Sequence, residues 1–200
     1  MPKQPSTAVL GFRPHTYWTS AVALAGPTDA PRVLERRRIT FATGPERSVF
    51  HRAEQTDLAT ARLLIEEVRT ATEANAARKI GALVEDLKRD GVSVSIAVAP
   101  KATNTLPEAL EDILKLHPRV LPTTGNFYRA VVAAACARVG LQVHRAVERE
   151  LPALAGDLLG VNIAAVEARL KIMGAALGPP WSEDYKLAAL AAWLHLDEED

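Results

Sequence analysis

Two hundred residues are enough for one domain with a substantial core, since a chain of this length buries about 70% of the surface its unfolded form exposes. Lys and Arg together number 24 and so do Asp and Glu, so no global field draws the chain to nucleic acid or to an anionic membrane surface. The single cysteine, Cys136, excludes an internal disulfide and a zinc site built from thiolates; in "AVVAAACARVG" it reads as a small apolar filler.

The opening "MPKQPSTAVLGF" lacks the long apolar region of a signal peptide, and no apolar run approaches the roughly 18 residues of a membrane span, so a cytoplasmic protein away from membranes is expected. Alanine-rich segments and a preference for Arg over Lys suggest a bacterial source. Residues 8–13, 18–25 and 32–42 are short, rich in β-branched and aromatic side chains, and divided by the turn signals "PHT" and "GPTDAP". They predict three successive antiparallel strands. The third carries Arg36, Arg37 and Arg38 in a row; alternating side chains cannot all be buried, which predicts an edge strand.

From Asp57 to about Asp90 the period changes. Leu64, Val68 and Ala71, then Ile80, Leu83, Val84 and Leu87, recur at spacings of three and four, the signature of a long amphipathic helix capped by Asp57 and ended at Gly91. "VSVSIAVAP" follows as a buried fourth strand closed by Pro100. Helices are predicted at about 106–116 and 125–139, then a fifth strand in "LQVHRAV", then helices at about 148–158 and 162–176. Ser182 is placed to cap a last helix whose first turn holds Glu183 and Asp184. The final four residues are acidic; without them 24 basic residues face 20 acidic ones. Residues 1–7 and 197–200 read as frayed ends of a single domain. Three antiparallel strands followed by crossover-connected ones imply an α/β fold: a mixed five-stranded sheet with helices on both faces.

That element order resembles the ribonuclease-H-like superfamily, and most of all its Holliday-junction resolvase branch. Within "LGFRPHTYW", Leu10, Gly11, Pro14, Thr16 and Trp18 fit the family's opening strand, turn and aromatic. Arg13 stands where the family has a metal-binding aspartate, and His15 and Tyr17 replace glycines. The family's glutamate near the fourth strand has no counterpart in "AVAPKATNT", where the first acid is Glu108. The family's paired aspartates on the last helix are matched by "SEDYKLAALAAWL", with Glu183 at the first position and Lys186 at the second. The resemblance implies two magnesium ions clamping the attacking and leaving oxygens of a phosphodiester. Arg13 and Lys186 would repel such ions, so loss of two-metal nuclease activity is expected, with no cofactor.

Two readings of the altered hollow remain. In one, Arg13 meets Glu183 or Asp184 as a structural ion pair. In the other, Arg13, Lys186 and His15 hold a phosphate or carboxylate. A binding or scaffolding module is the expected function; the alternative is a divergent hydrolase using Glu183 and Asp184 with Mg or Mn, helped by Glu108. Arg36, Arg37 and Arg38, with Phe127, Tyr128 and Arg129 near a helix start, are candidates for nucleic-acid contact, although a charged edge strand and a hydrophobic anchor explain them too. Trp181 and Trp193 are candidates for a homodimer face. The five histidines (His15, His51, His117, His144 and His195) are scattered without ligand spacing, so no metal site is expected. Phosphate-binding loops, nucleophile elbows and dinucleotide fingerprints are absent from the sequence.

Overall fold

A computed structural model describes residues 6–102, 106–175 and 177–198. The expected strands form as β1 (Ser6–Pro14), β2 (Trp18–Ala25), β3 (Arg32–Thr40), β4 (Val92–Pro100) and β5 (Gln142–Ala146). They build one mixed sheet in the order β3-β2-β1-β4-β5. The first three are antiparallel, and β4 and β5 run parallel to β1, with β3 at an edge as its arginines predict. β1 starts at Ser6, opposite Val92, so the paired strand reaches into the segment expected to fray.

The helices are α1 (Val49–Ala53), α2 (Leu58–Arg89), α3 (Leu110–Leu114), α4 (Val120–Arg138), α5 (Leu151–Leu159), α6 (Ile163–Ala175) and α7 (Glu183–Trp193). Asp57 caps α2 as predicted, its Oδ1 accepting from the Ala59 and Thr60 amides at 3.0 Å each. Gly91 follows with φ +80°, a conformation only glycine adopts freely. The buried stripe of α2 runs Ile65, Val68, Thr72, Ala76, Ile80, Leu83, Leu87, so Thr72 rather than Ala71 faces the core. α4 begins five residues before the expected start. Pro122 lies in its first turn, where amides have no helical partner and proline is tolerated. The short α1 is not signalled in the sequence. Ser182 stands at the start of α7, but its hydroxyl makes no capping bond; its carbonyl accepts from the Tyr185 and Lys186 amides at 3.1 Å each.

Strand alternation divides the sheet into two faces. Ala8, Leu10, Phe12, Ala21 and Ala23 pack under α1, α2 and α4, with the aromatic cluster of Phe50, Phe127 and Tyr128. Val9, Val22, Leu24, Ile96 and Val98 pack under α5, α6 and α7. Trp193 lies in this second layer, 1% exposed, and donates from its indole nitrogen to the Thr28 carbonyl at 2.8 Å. Trp181 donates to the Leu170 carbonyl at 2.9 Å and packs against Gly174. Trp193 therefore fills the interior between helices, while Trp181 is only partly buried. Among the described residues, no single helix is long and apolar enough to cross a membrane.

Gly11 faces α7, and a Cβ added there would run into the Ala188 carbonyl oxygen and come within 2.9 Å of the Ala192 amide nitrogen. Those neighbours are helix backbone and cannot swing aside. Gly11→Ala should therefore destabilise the protein by about 3 kcal/mol, measured by urea denaturation. Gly91→Ala, where open space surrounds the Cβ but φ is positive, should lose only about 1 kcal/mol.

Candidate functional site

The carboxyl ends of the parallel strands β1, β4 and β5 lie along one edge of the sheet, the place where open α/β sheets collect functional groups. Arg13 projects from the end of β1 on the face covered by α7, two residues beyond Gly11. Its guanidinium donates from Nη1 to the Asp184 carboxylate in the first turn of α7. Nε and Nη2 both donate to Glu148 Oε1 at 3.2 Å, in the short 3-10 turn that follows β5. The three side chains are only 24–28% exposed, so the pairing is partly shielded from solvent.

His15 adds a fourth member. Its Nε2 lies 2.9 Å from Arg13 Nη1 and 3.0 Å from Asp184 Oδ1. Burial lowers its pKa below the ordinary 6.5 and the neighbouring Arg13 lowers it further; Glu148 acts in the opposite direction, and Arg38 and Arg129 add smaller downward effects. A neutral ring fits this setting: according to its tautomer, Nε2 accepts from Arg13 Nη1 or donates to Asp184 Oδ1. The ring is stacked on Trp18 at 4.1 Å and 7°, and the Arg38 guanidinium covers the other side of Trp18 at 3.8 Å. In the turn between β1 and β2, Tyr17 has φ +66°, a left-handed backbone in a place where the family has glycines. The Tyr17 carbonyl holds this shape by accepting from the Phe41 amide at 2.9 Å, and Arg47 lies over its ring at 3.7 Å.

Of the residues singled out in the sequence, Arg13, His15 and Asp184 come together, and Asp184 rather than Glu183 is the partner of Arg13. Lys186 does not join them. It pairs with Glu183 at 3.2 Å, and both line a separate cleft against Glu167 and Lys171 of α6. Glu108 lines another groove, beside Arg62 and Glu66 of α2. Lys101 follows β4 where the family would have its glutamate, and residues 103–105 lie outside the described residues. Glu148 was missed by sequence reasoning; its one signal is an acid placed two residues after a parallel strand.

Arg36, Arg37 and Arg38 do not make a single basic patch. Arg36 donates to the Gly178 carbonyl at 2.8 Å and the Pro179 carbonyl at 3.1 Å, bracing the loop before α7. Arg37 points to the opposite face and pairs with Asp86 of α2 at 2.7 Å. Arg38 covers Trp18. Phe127 and Tyr128 are buried well inside α4 rather than near its start, and only Arg129 reaches the cleft beside His15, Thr16 and Pro122. The Cys136 thiol is buried, and desolvation pushes its pKa up to about 12, in keeping with a filler.

No protein-family model and no curated protein matches the sequence. Solved structures do. The RuvC of Thermus thermophilus in complex with Holliday junction substrate matches at 14% identity and a TM-score of 0.51, over 94% of this chain and 92% of that one. A second Thermus thermophilus RuvC structure matches at 13% identity and a TM-score of 0.51, over the same shares. The chain thus has the ribonuclease-H-like α/β fold of RuvC, as the element order predicts.

Two predictions follow from the geometry. Arg13→Ala leaves Asp184 and Glu148 facing each other without a cation and should lower stability by about 1–2 kcal/mol in urea denaturation. The depressed pKa of His15 means the unfolded chain takes up its proton first as pH falls. Its contribution is therefore complete above pH 6.5 and fades as the pH drops below that value toward the folded pKa. The thermal midpoint of His15→Gln should fall less than that of the wild type between about pH 7 and about pH 5.

Proposed function

We propose that this protein is a ribonuclease-H-like binding or scaffolding module that does not cut phosphodiesters by a two-metal route. The observation that carries the reading is the Arg13 guanidinium bonded to both Asp184 and Glu148. Two hard divalent cations need several carboxylate oxygens converging on them. Here the converging carboxylates already share a fixed cation of the chain's own, and Lys101 occupies the position after β4. The residues present do not fit a pair of magnesium ions. DNA is the partner class to test first, because the RuvC that shares the fold was solved on a Holliday junction substrate. The neutral charge of the chain supports binding through shape and local contacts more than through a global field.

Incubation with a synthetic four-way junction and with duplex DNA, in magnesium and in manganese, should leave both uncut. Retention of the junction in EDTA at low salt would make DNA the partner. Metal-dependent cutting that disappears in Asp184→Asn would overturn the proposal and favour the hydrolase reading. Arg13→Asp provides a complementary test, since it gathers a third carboxylate beside Asp184 and Glu148. This variant should be less stable than wild type in EDTA and regain several degrees of thermal midpoint with millimolar magnesium, whereas wild type should not respond.

A further inference from the structure

Two histidines that lie 66 positions apart in the sequence meet at one glutamate, on the helical layer away from α7. His51 and Glu54 are three residues apart at the end of α1, a helix anchored by the buried Val49, Phe50 and Ala53. The Glu54 amide still donates to the Phe50 carbonyl at 3.0 Å, so the residue continues the helical turn. His117 comes from the 3-10 turn His117–Arg119 that leads into α4, where Pro118 restricts the backbone and the Arg119 amide closes the turn on Leu116 at 2.8 Å. His117 Nδ1 lies 3.0 Å from both carboxylate oxygens of Glu54, and His51 Nδ1 lies 3.4 Å from Oε1. The imidazole rings are 5.2 Å apart and tilted by 40°.

These distances are informative because a tetrahedral zinc ion, with metal–ligand bonds of about 2.0–2.2 Å, spaces its ligand atoms about 3.3 Å apart. The two separations to Glu54 bracket that value, and all three candidate ligand atoms lie within 4.8 Å of one another. A cation would replace the protons now shared between the imidazoles and the carboxylate, with small side-chain rotations. The Glu54 side chain is 17% exposed while that of His117 is 71% exposed, so the site is anchored within and open to solvent. Two imidazoles and one carboxylate suit zinc, cobalt or nickel, whereas magnesium and calcium prefer oxygen ligands.

We propose that His51, Glu54 and His117 bind one divalent transition cation, with zinc the first choice, and that the ion clamps the end of α1 to the turn before α4. Solvent completes the coordination. The site is separate from the Arg13 cluster and stands whether or not that cluster binds anything. Its role is a tie between two helical segments, stabilising the folded state by mass action.

The test uses the full chain stripped with EDTA and titrated with zinc in a calorimeter. Cobalt absorption in the visible range gives a second readout, and magnesium serves as the control. The expected result is one zinc per chain with a dissociation constant of about 10 µM or tighter, a raised thermal midpoint, and no response to magnesium. His117→Ala removes an exposed side chain and should keep the apo midpoint while weakening zinc binding by about 100-fold. His51→Gln should behave likewise, and His144→Ala should bind as wild type does, which sets aside His144 and His195, whose rings lie 4.4 Å apart. Wild-type binding weaker than about 100 µM, or equal binding in wild type, His117→Ala and His51→Gln, overturns the assignment.

Discussion

The close seating of α7 on β1 at Gly11 is the constraint on which the site depends. Because Gly11 has no Cβ, the helix backbone at Ala188 and Ala192 lies directly on the strand. From there the two elements run in opposite directions in matched steps. Two residues along the strand, about 6.7 Å, lead from Gly11 to Arg13, and four residues back along the helix, about 6 Å, lead from Ala188 to Asp184. The near equality of these lengths brings the guanidinium and the carboxylate together. The small residues of "LAALAAWL" are thus more than filler: they set the height of α7 above the sheet.

The same alternation explains why three consecutive arginines play three different parts. Ser20 pairs with both Arg13 and Arg38, and Val22 pairs with both Gly11 and Arg36, so Arg36 and Arg38 share the α7 face with Arg13. Arg37 must then point to the other face, where Asp86 receives it. A charged edge strand is usually solvated. Here each guanidinium is tied to a loop, an aromatic ring or a helix, and the edge becomes a set of braces holding α2 and the loop before α7 in place.

Features encoded within a few residues were legible in the sequence, and those that depend on long-range pairing were not. Asp57 and Gly91 bound α2 through local hydrogen bonding and backbone freedom, and both effects act on neighbouring positions. A mixed five-stranded sheet, three antiparallel strands then two parallel ones, follows from strand spacing and crossover handedness. The five residues of α1 hold too few periods to register, and α4 extends back past Pro122 beyond the start that the sequence predicts. Proline is harmless in a first turn, where the missing amide had no partner. The link between Arg13 and Glu148 spans 135 positions, and the histidines that meet at Glu54 come from α1 and from the turn before α4. Neither grouping carries a spacing motif, since the chain folds back to create both. Asp184 could be named as a partner for Arg13 only because the fold resemblance set the last helix against the first strand.

The choice of arginine at the end of β1 follows from the shape of the hollow. Asp184 and Glu148 approach from two sides, one on a helix and one on a turn after β5, and a single cation must serve both. An ammonium is a point charge on a flexible stem. A guanidinium is a planar fork that can direct Nη1 to one carboxylate and the Nε and Nη2 edge to the other at once. One positive charge against two negative ones leaves the group short of a cation, yet His15, in contact with both Arg13 and Asp184, does not supply it. Desolvation and the fields of Arg13, Arg38 and Arg129 keep its ring neutral. The hollow at the end of β1 is therefore held by a cation the chain cannot release without exposing two carboxylates to each other.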